Sequence, residues 1–336
     1  MERVLRVLGP IATDSQNLFL EADSVLESLQ YEVELNYDQT TNQPKQILSI
    51  VLENLINSLT SLSGVELVAL LSELQGALTN KEIQVFMNDR VVQQQLRAFG
   101  WTGEIVPAQK NQDYLMIVNT NLHGLKSDAR IKQAIKQRTQ IQADGTIVNT
   151  VTVGREHTGN LGEQFYGVNN VSYLRIYVPE GAELLNAGGF TFPPEDIFQV
   201  PEAWYAEDED VNRLEQEQFI HNQSGTRITR EFGKTVFGNW IMVAPGNTSE
   251  VYFTYRLPFK VFSLSDSNDG TASRYSLLLQ KQSGVDSQYD LDIQFPSSWE
   301  PVWQIQDDVD VGVNSVEWKT RLETDQVFGV VMKKIR

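Results

Sequence analysis

The side chains whose types and spacing could do chemistry gather in Asp113–Arg130, DYLMIVNTNLHGLKSDAR. There Asn119, Asn121, His123, Lys126, Ser127 and Asp128 follow an apolar run, Tyr114–Val118. At the carboxyl end of a strand, where α/β sheets tend to bind ligands, these amides, the lysine and the acid suit contacts to a sugar or a phosphate. Asn119, Asn121, Lys126 and Asp128 are therefore the candidate ligand-binding residues. A competing account is local and needs no ligand. In it the asparagines close a turn, Ser127 is the N-cap of a helix over Ala129–Ile135, and Lys126 and Asp128 are solvated.

Other chemistries fail on composition or spacing. The chain has no cysteine, which removes disulfides, thiolate zinc sites, iron–sulfur clusters and cysteine nucleophiles together. Its three histidines, His123, His157 and His221, are scattered, with no His-Glu-x-x-His arrangement. No Gly-x-Ser-x-Gly elbow offers a serine nucleophile. Gly233-Lys234-Thr235 resembles the end of a phosphate-binding loop, but the earlier glycine position holds Ile228 and the surroundings read as a strand. Asp266–Gly270, DSNDG, is one residue short of a calcium-loop spacing, and Asp269-Gly270 is better explained as a turn. Ala206–Gln218, AEDEDVNRLEQEQ, offers carboxylates of the kind calcium prefers, yet reads better as a solvated loop or a strand edge that discourages aggregation. No catalytic, metal or cofactor-binding residue is assigned, no cofactor is expected, and the chain leans away from being an enzyme.

The formal net charge is −17, from 44 acidic and 27 basic side chains. Affinity for nucleic acid depends on Lys and Arg neutralising phosphates, so no nucleic-acid partner is expected, and adhesion to anionic lipid is disfavoured. No apolar run of about 18 residues exists to span a bilayer. The N-terminus lacks the apolar region of a signal peptide. Because VLRVLGPI reads as the middle of a packed element, further sequence upstream is expected, and membrane attachment only through an anchor there.

The elements that must position the candidate residues change character along the chain. Ala22–Leu35 places Val25, Leu26, Leu29 and Val33 on one helical face, with Ser24 and Glu27 spaced as a capping box. After a polar break at Asn36–Asn42, Pro44 suits the first turn of a helix carrying Ile47, Leu48, Val51, Leu52, Leu55, Ile56 and Leu59. A second helix after Gly64 carries Leu67, Leu70, Leu71, Leu74 and Leu78. Lys81–Asn88 reads as a strand and Val91–Phe99 as a short helix.

From about residue 136 the period is two. Lys136–Ala143 and Thr146–Gly154 flank Asp144-Gly145, a hairpin signal. Val171–Val178 alternates, and Thr235–Ala244 and Glu250–Pro258 are expected to pair across Pro245-Gly246-Asn247. Further strands are predicted at Arg274–Gln282, Gln288–Phe295, Val302–Gln306, Ser315–Lys319 and Gln326–Lys333. The fold class is α+β: a helix-rich α/β part over residues 1–136, then an antiparallel, immunoglobulin-like β-sandwich over residues 137–336.

Several segments resemble the bacterial family catalogued as domain of unknown function 4012 (DUF4012). They are VLGPI at Val7–Ile11, PKQIL at Pro44–Leu48, LQGALTNKEIQVFMND at Leu74–Asp89, QQLRAFGWTGEI at Gln94–Ile105 and the DYLMIVNTNLHGLKSD stretch. YLRIYVPEGAEL at Tyr173–Leu184, VAPGNTSEVYFTYRLP and LLLQKQSG at Leu277–Gly284 also fit. The resemblance runs over most of the chain and implies an extracytoplasmic protein of the bacterial cell envelope. VLGPI is also similar to a segment of LytR–CpsA–Psr ligases, which attach glycopolymers to the cell wall. Those enzymes use arginines to hold a lipid pyrophosphate, whereas here no arginine lies between Arg6 and Arg90. No catalytic residue is carried over.

Three readings follow. The first is a non-enzymatic envelope protein with an adhesion, assembly or scaffold role, partnered by a cell-wall glycopolymer or another envelope protein. The second is a divergent glycopolymer transferase or polyprenyl-phosphate binder whose site needs upstream sequence. The third is a carbohydrate-binding module using Trp204, Trp240, Trp299, Trp303 or Trp318 as stacking platforms; tryptophans at such spacing are more often core or interface residues.

Overall fold

A computed structural model describes residues 1–13, 18–37, 43, 45–200, 202, 204–206, 208–263 and 272–335. The expected turn at Asp266–Gly270, the helix-starting Pro44 and most of the polar break at Asn36–Asn42 lie outside these residues. The chain divides into two compact units, Met1–Gly103 and Glu104–Arg336. The boundary expected near residue 136 is therefore wrong. The strands Asp113–Asn121 and Ile131–Ile141 both pair within the sheets of the second unit, so neither closes the first.

The first unit is helical, with α1 (Glu2–Leu8), α2 (Val25–Glu34), α3 (Gln46–Leu59), α4 (Gly64–Thr79) and α5 (Arg90–Ala98) around a short ribbon of β1 (Ile11–Thr13) and β2 (Leu18–Leu20). Leu5, Ile11, Leu20, Val25, Leu29, Ile47 and Val51 form its core. On α3 the inward stripe is Ile47 and Val51, while Leu48, Leu52, Ile56 and Leu59 remain exposed. Arg3 ties α1 to α4 and the segment after it, donating to Glu73 at 3.1 Å and to Glu82 at 2.7 Å.

Two local expectations fail in this unit. Ser24 does begin α2, but its side chain caps nothing; the capping box forms instead on α4, between Ser63 and Glu66. Lys81–Asn88 is not a strand. Val85 N–H does donate to Trp101 C=O at 2.9 Å, but no neighbouring strand continues the ladder. A strand needs a partner for its backbone groups, and the alternating apolar pattern alone supplies none. Helices around a ribbon thus replace the α/β alternation expected here.

The second unit is built from strands β3 (Asp113–Asn121), β4 (Ile131–Ile141), β5 (Thr146–His157), β6 (Asn170–Pro179), β7 (Glu183–Gly188), β8 (Gln216–His221), β9 (Thr226–Glu231), β10 (Lys234–Val243), β11 (Thr248–Lys260) and β12 (Phe262–Ser263). A short helix, α6 (Glu209–Leu214), precedes β8. After it come β13 (Ala272–Gln280), β14 (Ser287–Gln294), β15 (Trp299–Gln304), β16 (Val309–Val311), β17 (Ser315–Leu322) and β18 (Gln326–Lys334). With 42% of the described residues in strands, beside six helices among them, the class is mixed α+β.

One sheet of nine strands runs β15-β18-β13-β3-β6-β10-β9-β8, with β12 beside β13; the other, of seven, runs β16-β17-β14-β4-β5-β11-β7. A single core joins them, with Leu115, Ile176, Phe237 and Leu277 from the first and Ile135, Val151, Phe253 and Leu291 from the second.

The pairing is not purely antiparallel, as the strand pattern suggested. Strands β3–β11 supply one end of both sheets and β13–β18 the other. The two ends meet at parallel pairs, β3 with β13 and β4 with β14. The segments around Pro245-Gly246-Asn247 are not a hairpin either. β10 pairs with β6 and β9, and β11 with β5 and β7, so this turn passes the chain from one sheet to the other. Both strands bury an apolar face in the shared core, which places them opposite each other rather than side by side. The Asp144-Gly145 hairpin does form. Gly145 takes φ 85°, and Asp144 accepts Thr146 N–H at 3.0 Å.

The caps generate a test. Ser63→Ala is expected to cost about 1 kcal/mol of stability by the usual value of an N-cap side chain, and Ser24→Ala close to nothing. Urea denaturation followed by circular dichroism separates the two; equal losses would contradict the capping assignment.

Candidate functional site

The structure gives several residues of the candidate stretch partners within the fold while leaving Lys126 and Asp128 exposed. Asn119 N–H donates to Gln282 Oε1 and Asn119 C=O accepts from Gln282 Nε2, each at 2.9 Å, so a side-chain amide continues the β3 ladder. Asn121 Nδ2 donates to Leu125 C=O at 3.2 Å, closing a loop in which Leu125 adopts φ 45° and Gly124 passes too close to Asn121 for a side chain. Ser127 begins no α-helix. A single 3₁₀ turn, Ser127–Arg130, leads straight into β4, whose alternating buried residues pair with β5 and β14. Ser127 is buried and accepts from Asn170 Nδ2 at 2.9 Å.

Asp128 is half-exposed to solvent, as the local account expected, and it also neutralises a buried arginine. Its Oδ1 accepts Arg155 Nη2 at 3.1 Å and Asn170 Nδ2 at 2.9 Å, and Arg155 Nη1 donates to Asn170 Oδ1 at 2.9 Å. Burial pulls the Arg155 guanidinium below its ordinary pKa, while Asp128 opposes the shift. Of the four candidates, Asn119, Asn121 and Asp128 thus have structural partners, and Lys126 donates its own N–H to Phe165 C=O. The histidines are occupied as well. His157 bridges Val168 C=O and Gly159 N–H, His221 lies 2.8 Å from Ser224 Oγ, and His123 stands edge-on to Phe198.

A second constellation, not anticipated from the sequence, lies between the sheets where the parallel pairs meet. Asp113 is fully buried. Its Oδ2 accepts from Tyr275 Oη at 2.6 Å, Asn149 Nδ2 at 2.8 Å and Gln137 Nε2 at 3.3 Å, and its Oδ1 from Tyr114 N–H at 2.8 Å. Tyr289 Oη donates to Gln137 Oε1 at 2.8 Å, and Thr139 Oγ1 to Asn149 Oδ1 at 2.8 Å. Burial pushes Asp113 up to about 6, although its hydrogen bonds favour the charged form. Burial also holds the phenols of Tyr255, Tyr275 and Tyr289 well above their ordinary value. An acid and three phenols would interest a chemist, but the cluster is sealed inside the core.

One set of polar groups open to solvent lies on the outer face of the nine-stranded sheet. There β6, β10 and β9 form a shallow dimple, with room for little more than a water, lined by Tyr173, Arg175, Glu215, Arg227, Glu231 and Gly238, among others. Glu231 is buried and saturated, accepting from Thr229 Oγ1 at 2.6 Å, Tyr177 Oη at 2.8 Å and Arg175 Nη1 at 3.1 Å. Arg227 pairs through Nη2 with Glu215. Gly238 is the floor: a Cβ there would stand 2.7 Å from the Tyr173 hydroxyl. Burial raises the pKa of Tyr173, so its hydroxyl keeps its proton.

Beyond Tyr173, Trp240 lies edge-on at 5.0 Å and Phe198 stacks on Trp240 at 5.4 Å. Of the tryptophans read as stacking platforms, Trp318 is in the core, Trp240 and Trp299 are half-buried, and Trp204 and Trp303 are exposed. The acidic segment Ala206–Gln218 holds α6 and the start of the edge strand β8. Among the described residues no group of three or more histidines and carboxylates is placed to hold a metal ion. Alternation assigned β6 and β10 correctly, but β8 and β9 carried no such signal, and only sheet order brings Arg227 beside Arg175.

No family model matches the chain, and no curated protein does. Among solved structures it is similar to a protein described as nutrient-binding from Legionella pneumophila, with 6% identity and a TM-score of 0.34 over 66% of this chain and 70% of that one. It is also similar to an M1 zinc metallopeptidase from Deinococcus radiodurans, with 9% identity and a TM-score of 0.26, covering 60% of this chain and 42% of the peptidase. An aminopeptidase A from Legionella pneumophila follows at 7% identity and a TM-score of 0.25, covering 60% of this chain and 21% of that one. At these values the likeness carries neither a fold assignment nor an activity.

Two predictions follow from the buried groups. Asp113 binds its proton more tightly folded than unfolded. Its contribution to stability is therefore complete below about pH 4 and lost as the pH rises through about 6. A difference of about two pKa units corresponds to about 3 kcal/mol, and Asp113→Asn should flatten that part of a stability-versus-pH curve. Asp128→Ala strands part of a buried guanidinium and should cost about 1–3 kcal/mol at any pH from 6 to 8, as measured by urea denaturation. A loss near zero would return Asp128 to the list of ligand-binding candidates.

Proposed function

We propose that this chain is a non-enzymatic binding and assembly module of a bacterial cell envelope, acting outside the cytoplasm. Its second unit is read as an immunoglobulin-like sandwich that presents the groove on β6, β9 and β10 to a cell-wall glycopolymer or another envelope protein. One observation carries the reading. The groups that chemistry would require, Asp113, Asp128, Arg155 and His157, are hydrogen-bonded within the fold, while a polar concavity open to solvent among the described residues is a shallow surface on a sheet face. A face of that kind suits recognition rather than turnover, which needs reactants held and water excluded. The envelope setting is supported by the resemblance to the DUF4012 segments. No helix among the described residues is long and apolar enough to cross a membrane.

Fractionation of cells producing the protein from its own gene tests the reading. Recovery with envelope or extracellular material is expected; recovery in the cytosol would end it.

A further inference from the structure

We infer that α3 and α4 are the contact surface for a second copy of this chain. The copies pair through two leucine seams, Leu48-Leu52-Leu55-Leu59 and Leu67-Leu71-Leu74-Leu78. The inference goes beyond the binding-module reading and does not depend on it, because it concerns the helical unit and not the sheets.

The first argument is spacing. In both helices the leucines recur at intervals of four, three and four. That is the a/d repeat of a coiled coil, whose side chains insert as knobs between those of a facing helix. Within one copy the seams are largely unused. α3 buries Ile47 and Val51, and α4 buries Leu70 and Ala77, all to one side of the leucines. Leu48, Leu52, Leu59, Leu67 and Leu71 are exposed, and Leu55, Leu74 and Leu78 are half-buried. The start of α4 is the extreme case. Every residue from Gly64 to Ala69 is exposed, Val65 to 82% and Val68 to 67%, and Glu66 is the one polar side chain in Gly64–Leu71. A helix that is apolar nearly all round is ordinarily buried, and a helix this short is marginal in water without tertiary packing.

The second argument is charge, and it decides the partner. In coiled coils the charged residues that flank a seam, at positions e and g, select one partner against another. Within α3 and α4 none of those positions is charged: Ser49, Ile56, Val68 and Gln75 stand at e, and core residues such as Val51 and Leu70 at g. The acids Glu53, Glu66 and Glu73 stand at b and c, off the seam, and Glu73 is bound by Arg3. A seam without charges carries no signal for a foreign helix, whereas a second copy presents the same leucines at the same spacing. Two copies about a two-fold axis set like against like, the commonest arrangement of homo-oligomers. The net charge of −17 repels two copies at long range, but salt screens that repulsion over about 8 Å at physiological ionic strength. The sign of the salt effect follows. Pairing of copies tightens with added salt, whereas capture of a basic helix would weaken.

The test is sedimentation equilibrium of the full chain across the micromolar range, at low and at high sodium chloride. A monomer–dimer equilibrium is expected, with a lower dissociation constant at high salt. Leu52→Glu with Leu71→Glu, at two positions exposed in the single copy, should weaken pairing about a hundredfold or more, because a carboxylate would be buried without a partner. Glu53→Gln, off the seam, should not weaken it. Because the chain has no cysteine, one introduced thiol can report on the seam without a charge. Leu71→Cys should react with a maleimide more slowly as protein concentration rises, while Arg321→Cys, on the seven-stranded sheet, should react at one rate throughout. A chain that stays monomeric at both salts overturns the inference. So does a dimer that loosens with salt, a dimer that survives the paired glutamate substitutions, or a Leu71→Cys thiol whose rate ignores concentration. If the glutamate variant fails to fold, the salt series and the thiol rates decide alone.

Discussion

The carboxylate of Asp113 sits where two parallel strand pairs meet between two sheets, and the second unit is arranged around that junction. Strands β3–β11 and β13–β18 form sequential halves, and each contributes to both sheets. Among the described residues their backbone ladders join at β3 beside β13 and β4 beside β14. Parallel neighbours cannot be joined by a tight turn, so nothing local sets their register. The side chains at the junction do. Asp113, Gln137 and Asn149 come from the first half and Tyr275 and Tyr289 from the second, so a slip by one residue would break several buried hydrogen bonds at once. A slip would also turn every apolar side chain of the slipped strand to the wrong face.

Gln280 and Gln282 extend the same device outside the core. Gln280 accepts Val106 N–H at 2.9 Å and donates to Glu104 C=O at 2.8 Å, while its Oε1 also takes the Tyr114 hydroxyl at 2.6 Å. Gln282 does for Asn119 what a neighbouring strand would do. Side-chain amides thus continue a ladder past the end of β13. A fully connected network of this kind is worth having only if each member is satisfied, because the low dielectric that strengthens a made bond also penalises a missing one. Its cost is a buried acid whose burial raises its pKa to about 6. The network also accounts for why Asp113, an acid among phenols, is closed off inside the fold.

Much of the secondary structure was legible residue by residue. The alternation in Val171–Val178, Gln288–Phe295 and Gln326–Lys333 reports a strand with one buried face, and each is one. Asp144-Gly145 makes its hairpin because glycine tolerates the positive φ there. Where the reading failed, a partner was missing or present out of sight. Lys81–Asn88 has the apolar spacing of a strand and no neighbour. Ala129–Ile135 has a capping serine before it, yet Ile131, Gln133 and Ile135 are drawn into a ladder by β5 and β14. Asn119, Asn121 and Asp128 read as a polar loop at a strand end, and their partners Gln282, Leu125 and Arg155 lie up to 163 residues away.

The amino-acid sequence by itself determined the helices of α3 and α4, most strands of the second unit and the thiol chemistries that a chain without cysteine excludes. Those properties depend on side-chain periodicity and composition, which are local. Tertiary structure alone decided which strands are neighbours, that Pro245-Gly246-Asn247 crosses between sheets, that Asp113 is buried among tyrosines, and that Arg175, Arg227 and Glu215 share one groove. These depend on contacts between residues far apart in the chain. Periodicity marks which face of a strand is buried and is silent about what it is buried against.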